Sequence, residues 1–148
     1  MQLETLAYVS EAAPGLGLRE LKDILRRSRE HNFRAGITGH LVFDGHWFAQ
    51  VLEGPPTALE ATFERIRRDP RHRCPEVLLR EEIGARRYEG WCMGCTNLAA
   101  PVHLDTSELR GLIRDFVGLR RPESREVQAF FRAFAEFRTP EQAALLTL

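Results

Sequence analysis

Hydrophobic and polar positions change period several times along the first seventy residues. Leu3, Leu6, Tyr8 and Val9 crowd the segment Gln2 to Ser10 ahead of Ala13-Pro14-Gly15, which predicts a buried strand closed by a turn. Leu18, Leu21, Ile24, Leu25 and Ser28 then recur at three- and four-residue steps, with Arg19, Lys22, Arg26 and Arg29 between them. That spacing predicts an amphipathic helix ending near Asn32, its basic residues turned to water. From Ala35 to Gly54 two β-type runs flank Asp44-Gly45, which predicts a hairpin with positive φ at both turn positions. Pro55-Pro56 ends the second run. Thr57 is placed to cap a second helix with Leu59, Phe63 and Ile66 inward, and Asp69-Pro70 stops it.

Further on, Glu76 to Ile83 and Tyr88 to Asn97 read as strands and Leu98 to His103 as a connector. Ser107 to Val117 and Glu123 to Arg138 are periodic helices, the second with Val127, Phe130, Phe131, Phe134 and Phe137 on one stripe. The order is βαββαββ followed by two helices, an α+β chain whose first six elements follow the ferredoxin-like pattern. Such a sheet keeps one face under its two helices and needs cover on the other. The C-terminal helices are expected to supply it.

Composition narrows the function. The chain has 148 residues, with 21 basic and 21 acidic side chains, so it fits one compact unit with no overall basic field for nucleic acid or an anionic membrane. Met1-Gln2-Leu3-Glu4 opens no signal sequence and no run is long enough to span a bilayer, so a cytoplasmic location is expected. Cys74, Cys92 and Cys95 are an odd count, read as reduced thiols, and Cys92-Met93-Gly94-Cys95 has no second pair to complete a zinc site. His40, His46 and His103 fit no metal spacing and read as surface or strand-face residues, and Trp47 as a packing residue. No metal is expected.

Charge is nonetheless uneven: Arg65, Arg67, Arg68, Arg71 and Arg73 surround Asp69. Arginine forks bind phosphate and an aspartate accepts from sugar hydroxyls, so the knot is either a ligand's polar anchor or a solvated helix face. Tyr8, Asn32 and Gln50 are polar residues inside apolar elements. An unpaired buried amide costs about 1–3 kcal/mol, so Gln50 must find partners. A cross-strand bond from Tyr8 would satisfy it, as core packing or as part of a site.

Six segments together resemble the blue light using FAD (BLUF) photoreceptor domains over Leu3 to Gly94. They are Leu6-Ala7-Tyr8-Val9-Ser10, Ser28-Arg29-Glu30-His31-Asn32, Gly36-Ile37-Thr38-Gly39, Phe48 to Gly54, Asp69-Pro70-Arg71-His72, and Arg86 to Met93. The resemblance implies FAD bound non-covalently between the two helices of a ferredoxin-like sheet. Tyr8 matches the tyrosine that gives an electron and then a proton to the excited flavin, and Gln50 the switching glutamine between that tyrosine and the ring. Asn32 matches the asparagine at the ring's polar edge, and His31 stands where many members carry a second asparagine. Ile24, Ser28, Ile66, Asp69, Arg71 and His72 fall around the ring, ribityl chain and phosphates. Trp91 and Met93 match the pair on the last strand that exchange environment on signalling.

By this resemblance, residues 1–97 form the flavin domain and 98–148 a helical extension packed on the sheet. The chain is then a photosensor without an effector enzyme, signalling to a partner protein or through its own oligomer. Two other classes compete. An acylphosphatase-type enzyme would need a glycine-rich phosphate loop, which is not apparent, and an RNA-binding module would use Tyr8 and the arginine knot against a neutral net charge.

Overall fold

The computed structural model describes residues 2–99, 107–119 and 122–135. Five strands form one sheet: β1 (Leu3–Ala12), β2 (Thr38–Phe43), β3 (Trp47–Gly54), β4 (His72–Ile83) and β5 (Gly94–Asn97). Helices α1 (Leu18–Ala35) and α2 (Pro56–Arg68) connect the strands, and α3 (Ser107–Gly118) and α4 (Ser124–Ala135) follow them. The strand order is β4-β1-β3-β2-β5. The first four strands pair antiparallel in the ferredoxin-like arrangement, and β5 adds parallel to β2. No helix among the described residues is long and apolar enough to cross a membrane.

Alternation along the strands divides the core in two. Leu6, Tyr8, Leu41, Phe43, Phe48 and Leu52 face α1 and α2, where Leu21, Ile24, Leu25, Leu59 and Phe63 meet them. Ala7, Val9, Val42, Ala49 and Val51 face the other way, against Ile113 and Phe116 of α3 and Val127, Phe130, Phe131 and Phe134 of α4. The C-terminal helices therefore cover the second face. Phe116 stacks on Phe130 with ring centroids 4.0 Å apart. Phe137 and His103 lie outside the described residues.

Several local expectations differ from the structure for identifiable reasons. Helix α1 runs one turn past Asn32, because Gly36 takes a left-handed φ of 71° and donates its N–H back to the Asn32 carbonyl. The hairpin forms, but Gly45 alone has positive φ (99°), since Asp44 accepts from the His46 and Trp47 N–H groups at 2.9 and 2.7 Å. Thr57 does not cap α2: Pro55 occupies that position and Pro56 leads the helix. Strand β4 begins at His72 rather than Glu76. Pro75 hid its start, yet β4 is an edge strand, where proline is tolerated.

The largest difference concerns Tyr88 to Met93, expected within the last strand. They form a loop instead, and β5 starts only at Gly94. The buried Glu53 carboxylate accepts from the Arg87 N–H (2.8 Å), the Tyr88 N–H (3.0 Å) and the Thr38 hydroxyl (3.0 Å). Trp91 N–H then closes a turn onto the Tyr88 carbonyl at 2.9 Å, with Gly90 at φ 83°. Arg86 clasps the Gly36 and Glu53 carbonyls at 2.7 and 3.1 Å.

Candidate functional site

Tyr8 and Gln50 stand directly opposite each other in the β1–β3 register. The Tyr8 hydroxyl donates to Gln50 Oε1, and Gln50 Nε2 donates to Met93 Sδ at 3.1 Å. Tyr8 is fully buried, edge-on to Phe63 at 5.4 Å and His72 at 6.1 Å. Burial, and then the charge of Asp69, push its phenol well above the ordinary tyrosine value, so it stays a protonated donor.

A cleft of about 140 Å³ opens over Gln50 between α1 and α2. Ile24 and Ile66 contribute apolar surface from the two helices, and Ser28, His31, Asn32, Gln50, Thr62 and His72 contribute polar groups. Arg27, Arg65, Asp69 and Arg71 add charge, and Leu52 completes the lining. Nine of the ten residues expected around a cofactor therefore meet at one cleft. Tyr8 is the exception: it lies behind Gln50 and reaches the cleft through that carboxamide.

The arginine knot disperses, because successive residues of α2 turn by about 100° and Arg71 and Arg73 lie beyond the helix, Arg73 on β4. Only Arg65 and Arg71 line the cleft; Arg67 lies over the Phe63 ring at 5.0 Å and beside Glu64 at 3.5 Å, and Arg68 and Arg73 are exposed. Arg71 is locked in place. It donates Nε to Asp69 Oδ1 at 2.9 Å, Nη2 to Asp69 Oδ2 at 2.8 Å and Nη1 to Asp23 Oδ2 at 2.8 Å. Hydrogen bonds from Arg71 and then Arg26 hold the Asp23 carboxyl down at about 2. For Asp69, burial pulls upward, but the hydrogen bonds and charge of Arg71 outweigh it and leave the carboxyl below its ordinary value.

Both histidines of the cleft are held towards neutrality. Burial pushes His72 down to about 4, and its Nδ1 lies 2.9 Å from Ser10 Oγ. Burial and the Arg65 cation lower His31, whose Nε2 is 3.0 Å from Thr62 Oγ1 and whose Nδ1 contacts the Arg65 guanidinium.

Trp91 and Met93 separate to different surroundings. Met93 is buried with the α1/α2 core, where it takes the Gln50 N–H. Trp91 lies instead against His40 (centroids 5.7 Å) and Tyr88 (6.0 Å). Two α1 side chains fix the backbone between them: Asn32 Nδ2 donates to the Cys92 carbonyl at 2.7 Å and Arg29 Nε to the Met93 carbonyl at 3.0 Å.

Arg29, expected to face water, instead holds the Met93 backbone and does not line the cleft; its place three residues before Asn32, on the same helix face, is the signal for that contact. Glu53 and Thr62 were also not singled out. Trp47 packs with the α3/α4 core, on the face away from the cleft. His46 is exposed and His40 fully buried, and Cys74, Cys92 and Cys95 form no disulfide.

A family model described as sensors of blue-light using FAD matches residues 3–94, most of the chain and every residue of the cleft. The chain belongs to the BLUF family. Among curated proteins, it is 39% identical over 70 residues to the photoactivated adenylate cyclase subunit beta of Euglena longa, a match covering 47% of this chain and 8% of that relative. Among solved structures, the dark state of the BLUF protein BlrB superposes with a TM-score of 0.69 and 29% identity over 99% of this chain and 98% of BlrB. The BLUF domain of BlrP1 superposes at 0.68 with 33% identity, covering 92% of each chain. BLUF domains are photosensory modules and their cofactor is FAD.

The residues of the cleft suit that cofactor. A flavin ring needs apolar surface on its faces and hydrogen-bonding groups along one edge, and Ile24 and Ile66 stand beside Asn32 and Gln50. Gln50 has two N–H bonds, of which Met93 Sδ takes one, so a donor remains for a ligand's acceptor.

Proposed function

We propose that this chain is a blue-light sensor whose switch is the hydrogen-bond series Tyr8, Gln50, Met93. That series is the observation that carries the reading, because it links a redox-capable phenol to a cleft-lining amide and on to the β5 edge. Ile24, Ile66, Asn32 and Gln50 would hold the flavin ring, with Ser28 and His31 beside it. Asp69, Arg71 and His72 would lie towards the ribityl chain and phosphates. Bound there, FAD would supply blue-light absorption and, when excited, a one-electron oxidant.

The residues do the rest. An oxidised phenol is a strong acid, and Gln50 Oε1 stands at the end of the Tyr8 O–H, so the amide would take that proton while releasing one of its own N–H protons to an acceptor in the cleft. A carboxamide has a donor end and an acceptor end, so turning or tautomerising Gln50 changes what it offers to the cleft, to Tyr8 and to Met93. A turned or tautomerised Gln50 would offer its donor to a carbonyl of the bound flavin, and Met93 would lose the N–H that it now accepts. Residues 1–97 serve as the sensing unit, and within residues 98–148 helices α3 and α4 serve as the cover through which a partner protein or a second copy reads the change. No enzymatic activity is assigned to the sensor itself.

The competing classes lose their footing. Tyr8 is too deeply buried to stack an RNA base, and the Arg71 fork is engaged by Asp69 and Asp23 rather than set in a glycine-rich phosphate loop. The test is FAD retention on purification followed by illumination. A yellow protein with a reversible red shift under blue light is expected, and a protein that binds no FAD contradicts the reading.

A further inference from the structure

We propose that His40 is the positioning residue that holds Trp91 away from the cleft and passes the placement of the Trp91–Met93 segment to α4; this rests on the light-sensor reading above. His40 is fully buried on β2, in parallel register with Gly94 at the start of β5. Its ring meets both Tyr88 and Trp91, with centroids at 5.9 and 5.7 Å, and those two lie 6.0 Å apart, so the three rings form one cluster. A side chain on Gly94 would not fit there: a Cβ would stand 2.5 Å from Trp91 Cε3 and 2.7 Å from His40 Nδ1. The glycine allows indole and imidazole to close over the β5 edge.

From that cluster a hydrogen-bond path leaves in one direction. His40 Nε2 lies 2.9 Å from Thr96 Oγ1, and Thr96 Oγ1 donates to the Phe134 carbonyl of α4 at 3.0 Å. A threonine hydroxyl has one proton. Because that proton goes to Phe134, the Thr96 oxygen accepts from His40, which fixes Nε2 as the protonated nitrogen of the imidazole. The ring is thus oriented through Thr96 by α4 and packed against Trp91. A light-driven displacement of Trp91 would remove a packing neighbour of the imidazole, and a resulting shift of the ring would be carried to its bond with Thr96. A core histidine with only a structural duty would stabilise both states alike. A coupling histidine makes α4 respond to the switch.

The experiment compares light and dark amide hydrogen exchange over Ser124–Ala135 in the full chain carrying FAD. Wild type should show a light-dependent difference there. His40→Leu should keep the full red shift, since it touches neither Tyr8 nor Gln50, but lose the difference in α4. Thr96→Val, a smaller change that cuts the same path, should give the same loss if His40→Leu folds poorly, and His40→Gln, which retains an N–H donor, should restore part of it. An α4 difference in both His40→Leu and Thr96→Val equal to wild type overturns the proposal, as does a red-shifting wild type whose α4 ignores light. A wild type that takes up FAD but shows no red shift refutes the sensor reading itself and this inference with it.

Discussion

Tyr8 and Gln50 are cross-strand partners joined by a hydrogen bond in which the phenol donates to the carboxamide oxygen, which leaves the amide's N–H end to Met93. That polarity makes the phenol's proton and the orientation of the amide one coupled property. Tyr8→Phe removes the donor and the redox-capable group but keeps the ring against Phe63. FAD binding should survive, the light-induced absorption shift should vanish, and the stranded Gln50 oxygen should cost about 1–3 kcal/mol in urea unfolding.

Gly94→Ala tests the close packing at the β5 edge. With no room beside Trp91 and His40, the indole or the strand must move, at a cost of about 1–3 kcal/mol. Tryptophan fluorescence should change in the dark, before any illumination. An unchanged emission spectrum would show that Trp91 is not held as described.

Glu53→Ala tests what holds the Arg86–Met93 loop. Its carboxylate serves two backbone N–H groups and the Thr38 hydroxyl, so the variant should lose on the order of 3 kcal/mol. Proteolysis should then open first near Arg86 and Arg87, whereas the wild type should resist there.

Much of this was legible in the residues, and the reasons it was not elsewhere are physical. The α1 stripe and the Asp44-Gly45 hairpin follow from period and turn chemistry, and an amide inside the apolar run Trp47 to Leu52 required a partner that Tyr8 supplies. The loop from Tyr88 to Met93 misled because Tyr, Trp, Cys and Met are strand-compatible residues; a distant carboxylate, Glu53, turns them away from the sheet. Arg29 read as solvent-facing because its neighbours on the helix are, yet its chain is long enough to reach the Met93 carbonyl. The arginines looked like one cluster because sequence proximity hides both the rotation of α2 and the turn into β4 that carries Arg71 and Arg73. Which of them line the cleft depends on the face each occupies.

Acid sensitivity should follow from His72. Its folded pKa of about 4 lies below the ordinary 6.5, so between these values the unfolded chain binds a proton that the folded one does not. Stability is therefore full above about pH 6.5 and falls as pH drops towards 4, by about 3 kcal/mol in all from this group. Denaturant titrations at several pH values check this, and His72→Phe should flatten that part of the profile.

The most direct measurement is the light-minus-dark absorption spectrum of the FAD-loaded protein beside that of Gln50→Leu, which has no amide to turn. Wild type should shift reversibly to the red under blue light, and Gln50→Leu should bind FAD but show no normal shift. A normal reversible shift in Gln50→Leu would contradict the account, because the switch would then work without the residue that joins Tyr8 to Met93.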